Sequence, residues 1–356
     1  MTKKLFAAWA VAGLIVSLAG STLAHDENKT DKPGEKIERS LPVDSQATVT
    51  LCVASGTLTV HGWDKNEIRV RSTDAAQIEF RRIDKVKDTS KPAVRVDVMV
   101  LDKTATMKPR LDCQALASVE MEVPVGATVQ VQTRDGDIAI AGVSAAYAGS
   151  QNGDITIERA TKLVEAGSVG GSIALRNSSG RVNLSSAGGG IEVINVRSAT
   201  DDDTFEVGTV SGDIQMEHVG IPKVIAKTVN GTVTMSGPLA KSGNYVFNNV
   251  TGDVVLELPH DASFQLNAKV SEKHDIVSDF PLKYLNEPPP PPAAKPKHSP
   301  EAAPKPRTGP VVAPIIVERP TLPNPYVLRR VTAICGTGDA SITIASFGGT
   351  VRLKKI

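Results

Sequence analysis

Four aspartates in this chain of 356 residues each directly follow a glycine within the same short sequence pattern, and they are the acids best placed for catalysis: Asp137, Asp154, Asp213 and Asp253. On neighbouring strands of one sheet, Asp137 and Asp154 would stand about 5 Å apart, close to the carboxylate separation of a retaining glycosidase. Equivalent positions in the intervening units carry Ser172, Gly190 and Thr232. Because all these residue types suit tight turns, we expect the aspartates to be turn residues.

Other candidate sites are weaker. The acidic run Asp201–Asp203 could offer oxygen ligands to calcium, but a solvated loop is the favoured interpretation. No two of the six histidines have the spacing of a metal site. Cleavage of a leader after Ala24 would leave His25 at the N-terminus, where its amine and imidazole could hold copper, but no second histidine is identifiable. The sequence therefore predicts no catalytic, cofactor-binding or metal-binding residues.

The elements that position the four aspartates form a repeat. Each unit reads glycine, a small or acidic residue, then apolar-x-apolar, as in Gly153-Asp154-Ile155-Thr156-Ile157. The repeated glycines are Gly136, Gly153, Gly171, Gly189, Gly212, Gly231 and Gly252, separated by 17, 18, 18, 23, 19 and 21 residues. A period near 20 residues is the signature of a solenoid. We expect each glycine to supply a turn, where positive φ carries no steric cost.

A second strand precedes each glycine. The residues seven and five positions before it are mainly apolar, such as Val182 and Leu184 before Gly189. The residue three positions before it is always small and polar: Thr133, Ser150, Ser168, Ser186, Thr209, Thr228 and Asn249. Alternation with period two puts the apolar residues on one face of a strand. Stacked coils would bury that face and align the polar residues in a ladder, bonded to one another or to the backbone.

The repeat extends to both ends of the chain, with units around Gly56 and Gly349, and residues 67–133 are less regular, as expected of a cap. Residues 287–325 hold 14 of the 23 prolines and cannot join a sheet. The predicted organisation is a signal peptide over 1–24, a flexible segment over 25–44, a solenoid over 45–285, a Pro-rich disordered insertion over 286–325 and closing strands over 326–356. The basic Lys3 and Lys4, followed by an uncharged run, carry the signal-peptide prediction.

Composition and cysteine count limit the function. The 40 Lys and Arg balance 39 Asp and Glu, which argues against a nucleic-acid binder. After signal cleavage we expect no membrane span. Export permits a disulfide, and three cysteines allow at most one. Cys52–Cys113 is the favoured pair, because Cys335 lies near the other end, and three free thiols are the alternative.

These features resemble the bacterial putative-adhesin family. The resemblance rests on Leu58-Thr59-Val60-His61-Gly62-Trp63-Asp64, the serial Gly-Asp-Ile units and Gly349-Thr350-Val351-Arg352-Leu353, and covers about residues 45–285 and 326–356. It implies an all-β, right-handed parallel β-solenoid on an exported envelope protein, and it carries over no catalytic or ligand residues.

The predicted function is therefore that of a non-catalytic binding or structural module in the periplasm, on the cell surface or secreted. Its expected partner is an envelope polysaccharide or a cell-surface protein. The polar outward positions Thr156, Glu158, Gln215, Glu217 and Thr234 suit weak, multivalent contact. The alternatives are a polysaccharide lyase or glycoside hydrolase on the same scaffold, and a scaffold that assembles edge to edge. The oligomeric state stays open.

Overall fold

The computed structural model describes residues 36–83, 91–102, 113–285 and 328–356. The predicted signal peptide, His25, the Pro-rich insertion and His298 lie outside these residues. The described part is all-β and consists of strands, turns and bends. It contains no helix that is long and apolar enough to span a membrane.

The strands of the first half are β1 Ile37–Ser55, β2 Leu58–Trp63, β3 Glu67–Ser72, β4 Ala75–Arg82, β5 Ala93–Asp102, β6 Val119–Pro124, β7 Thr128–Asp135, β8 Ile138–Ala141, β9 Ala145–Ser150, β10 Ile155–Glu158, β11 Leu163–Ser168, β12 Ile173–Arg176 and β13 Arg181–Ser186. Those of the second half are β14 Ile191–Arg197, β15 Phe205–Ser211, β16 Ile214–Gly220, β17 Lys223–Asn230, β18 Val233–Ser236, β19 Asn244–Thr251, β20 Val254–Leu258, β21 Phe264–Ser271, β22 Ile276–Ser278, β23 Lys283–Tyr284, β24 Leu328–Cys335, β25 Ala340–Gly348 and β26 Val351–Lys355.

The strands stack into a parallel β-solenoid, as the repeat predicts. Sheet A contains the strands that follow the corner glycines, in the order β6-β2-β8-β10-β12-β14-β16-β18-β20-β26. Sheet B contains the strands that precede them, in the order β1-β7-β9-β11-β13-β15-β17-β19-β25-β21. All of these pairings are parallel, so equivalent residues of successive coils lie side by side.

The core is a set of apolar ladders between the two sheets. One ladder is formed by the residue two positions after each corner glycine, and every member is buried: Leu58, Ile138, Ile155, Ile173, Ile191, Ile214, Val233, Val254 and Val351. β-Branched side chains suit such a ladder because they pack well against same-face neighbours on adjacent strands. Stacking thus buries an apolar face that one coil could not cover alone.

The corner positions require glycine mainly because the backbone of the neighbouring coil approaches closely, and less because of the backbone angle φ. A Cβ on Gly153 would meet the carbonyl group of Gly136, and one on Gly171 would meet that of Gly153. The same contact recurs along the stack up to Gly349, which approaches the Gly252 carbonyl. Positive φ occurs at Gly56, Gly212, Gly231 and Gly252 but not at the other five corners. The prediction that the turn needs positive φ is therefore wrong for those five, where the neighbouring coil excludes a side chain instead.

Both ends of the stack are closed by strands out of sequence order. The C-terminal strand β25 lies between β19 and β21, so the last coil of the sequence is not the last of the stack. Antiparallel strand β24 then covers β21, and a β4–β5 hairpin covers the opposite end of sheet B. On sheet B these antiparallel caps remove the regular parallel edges on which an edge-to-edge scaffold would depend.

The flexible segment predicted over 25–44 is wrong from Ile37 onward. Residues 37–42 pair with β3 in antiparallel register, within a strand that continues to Ser55. Ile37 and Val43 are buried and Leu41 is partly buried. Intervening charged residues and Pro42 hide this alternation from the sequence pattern.

Candidate functional site

Three rows of outward-facing residues run along sheet B, perpendicular to the strands. The rib row consists of Thr50, Gln130, Tyr147, Glu165 and Asn183, which are register partners on β1, β7, β9, β11 and β13. The floor row lies two residues further along each strand and consists of Cys52, Gln132, Gly149, Gly167 and Ser185. A third row lies two residues further again and contains Val169, Val210, Val229, Val250 and Phe347, all exposed.

A groove of about 500 Å³ follows the rib and floor rows. It forms because Gly149 and Gly167 contribute no side chain, and Ser185 only a small one, between taller neighbours. A Cβ on Gly149 would meet nothing nearer than Gln132 Cγ at 3.7 Å, so the space above it is open. The volume falls in the range of small-molecule sites.

The two ends of the groove are built differently. At one end the disulfide-bonded Cys52 and Cys113 line it. Beyond Ser185, the floor row continues through Gly208 to Lys227, whose ammonium donates a hydrogen bond of 2.7 Å to Glu206. From Cys52 to Ser185 the floor row crosses four strand spacings, about 19 Å at 4.8 Å each. An elongated ligand would therefore lie along the solenoid axis.

The lining chemistry is polar and nearly uncharged. Thr50 donates a hydrogen bond of 3.4 Å to the Gln130 side-chain oxygen, which leaves the Gln130 amide nitrogen for a ligand. Gln132 and Asn183 make no side-chain hydrogen bond to any described residue. Amides donate and accept at fixed positions, and the Tyr147 ring adds an apolar surface with a hydroxyl at its tip. This combination suits a polymer that is rich in hydroxyl groups.

The four corner aspartates do not face this groove. Each accepts a hydrogen bond from the backbone N–H of the equivalent residue on the next coil: Asp137 from Asp154 at 2.9 Å, Asp154 from Ser172 at 2.7 Å, Asp213 from Thr232 at 2.7 Å and Asp253 from Thr350 at 2.9 Å. The turn interpretation is confirmed, with a partner in the neighbouring coil. These carboxylates fasten successive corners together.

The polar ladder before the corners bonds to the backbone rather than to itself. Ser168 Oγ donates a hydrogen bond of 3.0 Å to the Gly153 carbonyl and accepts one of 2.9 Å from the Gly171 N–H. Ser186 repeats both bonds one coil further on. Each of these two serine hydroxyls thus joins its own turn to the preceding coil.

Two further acids, Asp203 of the acidic run and Asp135, have structural partners. Asp203 accepts hydrogen bonds from the backbone N–H groups of Ala199 and Thr200, at 2.6 and 2.7 Å. Burial acts to raise the pKa of Asp203, but these bonds outweigh it and hold the pKa below its usual value. Asp135 accepts hydrogen bonds from Asn152 and Arg134, which lower its pKa. Within the described ranges no group of three His, Cys, Asp or Glu could hold a metal ion.

The cysteine prediction is confirmed. Cys52 and Cys113 form a disulfide with Cα atoms 4.7 Å apart, and Cys335 is a buried free thiol. Burial raises the pKa of the Cys335 thiol, which keeps it protonated and unreactive.

Sequence reasoning missed the groove and placed the binding face on sheet A. The outward positions expected to bind, from Thr156 to Thr234, do lie on sheet A, where Gln215 donates a hydrogen bond to Glu217. The depression on that face, about 340 Å³, is smaller than the groove on sheet B. The signal for the groove is present in the sequence as small residues four positions before successive corners, at Gly149, Gly167 and Ser185.

A second missed feature is a corner at or near the end of the six sheet A strands β8, β10, β12, β14, β16 and β18. There the backbone adopts positive φ at Gly142, Arg159, Asn177, Asn195, His218 and Gly237. Glycine and asparagine at four of these positions are the residues that tolerate this conformation best. Asn195 also donates a hydrogen bond of 3.2 Å to the Asn177 side-chain oxygen, so the corner is stacked as well.

Comparison with known proteins identifies the family. A family model described as Toastrack DUF4097 matches residues 34–283. Among solved structures, a putative cell adhesion protein from Clostridium sporogenes is 9% identical, with 90% of this chain and 100% of that chain covered and a TM-score of 0.20. A putative adhesin from Parabacteroides merdae is 10% identical, with 64% and 90% covered and a TM-score of 0.40. No curated protein matches the chain significantly.

Proposed function

The chain belongs to the Toastrack DUF4097 family, and from that premise we propose that it is a non-catalytic, adhesin-like binding module of the cell envelope. Its ligand is an extended envelope polysaccharide that lies in the groove of sheet B. The observation that carries the proposal is the groove itself, about 500 Å³ in volume and lined by Gln130, Tyr147 and Asn183.

The shape of the groove suits a polymer. The floor repeats at the strand spacing of about 4.8 Å, which is close to the length of one pyranose unit, so successive sugars would meet equivalent positions on successive strands. Amide and hydroxyl groups can pair with sugar hydroxyls, and the Tyr147 ring can cover the apolar face of one sugar ring. Each contact is modest, and several in a row give useful affinity.

Two features support an exported location. The N-terminal pattern around Lys3 and Lys4 is that of a signal peptide. The Cys52–Cys113 disulfide is the kind of bond that persists in an oxidising compartment.

The carboxylate arrangement supports binding without catalysis. A glycoside hydrolase needs two carboxyl groups on opposite sides of one glycosidic bond. The described lining of the groove has one carboxylate, Glu165, and the corner aspartates already accept backbone hydrogen bonds. We therefore prefer a binding module to the hydrolase alternative.

The test is co-sedimentation of the exported protein with purified peptidoglycan and other envelope polysaccharides, with reducing ends measured in the same samples. Binding without new reducing ends is the expected result. Replacement of Tyr147 by Ala should weaken binding about tenfold, as loss of one stacking and hydrogen-bonding side chain would. Tyr284→Ala is the matched control, because Tyr284 is an exposed tyrosine on β23, in the cap at the other end of the stack. Release of reducing ends, or no binding to any polysaccharide, would overturn the proposal.

A further inference from the structure

The described residues that line the groove include a single formally charged side chain. Glu165 lies in the middle of the rib row, with Tyr147 on one side and Asn183 on the other. The other described lining residues, among them Gln130, Gln132 and Ser185, are uncharged. Among the described lining residues, a ligand in the groove therefore meets one negative charge and no positive one.

The Glu165 carboxylate is available to a ligand. It is exposed, and it forms no hydrogen bond or ion pair with any residue in the described ranges. Arg181 occupies the nearest cationic register position, diagonally across on β13, but the two side chains form no ion pair. The next residue of the same row beyond Asn183 behaves differently, since Glu206 is paired with Lys227 at 2.7 Å.

We propose that the groove selects a polysaccharide that carries free primary amino groups, that is, an amino-sugar polymer with at least some N-deacetylated units. This inference rests on the proposed function and specifies its ligand. An ammonium group would donate charge-assisted hydrogen bonds to Glu165, which are stronger than neutral ones. The amides of Gln130, Gln132 and Asn183 would pair with the neighbouring hydroxyls. An acidic polymer would instead place its charge against Glu165, and none of the described lining residues is a cation that would offset the repulsion.

The test compares three defined probes by calorimetric titration of the full chain: a β-1,4-linked glucosamine hexamer, its fully N-acetylated counterpart and an oligogalacturonate. The glucosamine hexamer should bind roughly five- to tenfold more tightly than the N-acetylated form, as one charge-assisted hydrogen bond in a partly open site would give. The oligogalacturonate should bind most weakly. Glu165→Gln should remove the preference while it changes affinity for the N-acetylated hexamer less than twofold.

Glu206→Gln is the matched control, because it makes the same change in the same row outside the groove. It should retain the preference for the amino form. Equal affinity of the wild-type protein for both hexamers would overturn this inference and leave the proposed glycan-binding function intact. A preference that survives Glu165→Gln, or that is lost in Glu206→Gln, would overturn the assignment to Glu165. Failure to bind all three probes and every envelope polysaccharide would overturn both proposals.

Discussion

Replacement of Gly171 by alanine tests whether close approach of the coils holds the solenoid together. The new Cβ would lie against the Gly153 carbonyl group and 2.9 Å from the Asp154 amide nitrogen. Real Cβ atoms do not occupy such positions, so the two coils must separate locally. The moving Gly153 carbonyl is also the acceptor for Ser168 Oγ, at 3.0 Å. The substitution therefore combines over-packing with a weakened buried hydrogen bond.

The two costs can be added. Over-packing of a well-packed interior costs about 1–3 kcal/mol, and a weakened buried hydrogen bond adds roughly 1 kcal/mol. We therefore expect Gly171→Ala to lower the free energy of unfolding by about 3 kcal/mol. For a slope near 3 kcal/mol per molar urea, this moves the unfolding midpoint down by about 1 M.

Gly208→Ala is the matched control for this experiment. Gly208 lies within β15, outside the positive-φ region, and its Cβ would meet only the Lys227 carbonyl oxygen at 3.7 Å. The same chemical change should therefore be neutral or stabilise by about 0.5 kcal/mol through the unfolded state. Urea unfolding followed by circular dichroism measures both variants. Equal midpoints for Gly171→Ala and Gly208→Ala would refute the close-approach argument.

Three further predictions concern stability. Ser186→Ala should lower the free energy of unfolding in urea by about 1–3 kcal/mol, because it removes the hydrogen-bond partners of two backbone groups. Ser185→Ala, one residue earlier and exposed, should change it by less than about 0.5 kcal/mol. Similar losses in the two variants would contradict the structural role of the polar ladder. Loss of the Cys52–Cys113 disulfide, which spans 61 residues, should lower the free energy of unfolding by about 4 kcal/mol in the chain-entropy model. Urea unfolding with and without reductant measures this difference. An unchanged unfolding midpoint would contradict the predicted stabilisation by the disulfide. The pKa of Asp203 is lowered in the folded protein, so its stabilising contribution is present above its unfolded pKa of about 3.9 and is lost as pH falls through the folded value. The difference in free energy of unfolding between wild type and Asp203→Ala should therefore be about 1 kcal/mol at neutral pH and should shrink in acid. A difference that stays constant with pH would refute this assignment.

The stacking of coils follows from the sequence because parallel register aligns equivalent residues. Glycine, hydroxyl and isoleucine positions each recur once per coil, and each forms its own ladder. The disulfide could be favoured because Cys52 and Cys113 belong to the same end of the chain. These predictions need only the period of the repeat and the alternation of apolar and polar residues along each strand.

Features that depend on pairing across distant parts of the chain could not be predicted. Nothing local marks that β25 lies between β19 and β21, because the strand pattern is the same whichever neighbour it takes. The groove was missed for a related reason. It depends on which outward residues of five strands line up, so Glu165 becomes notable only beside Tyr147 and Asn183.

The most direct test of the account is whether filling the groove abolishes polysaccharide binding. Gly149→Trp would place a large side chain in the open space above the floor row. Asn248→Trp makes a similar addition in the same row on β19, beyond Lys227 and outside the groove. With co-sedimentation on envelope polysaccharide as the readout, the account predicts that Gly149→Trp loses binding and that Asn248→Trp binds like wild type. Full binding by a folded Gly149→Trp protein would contradict the claim that the sheet B groove is the binding site.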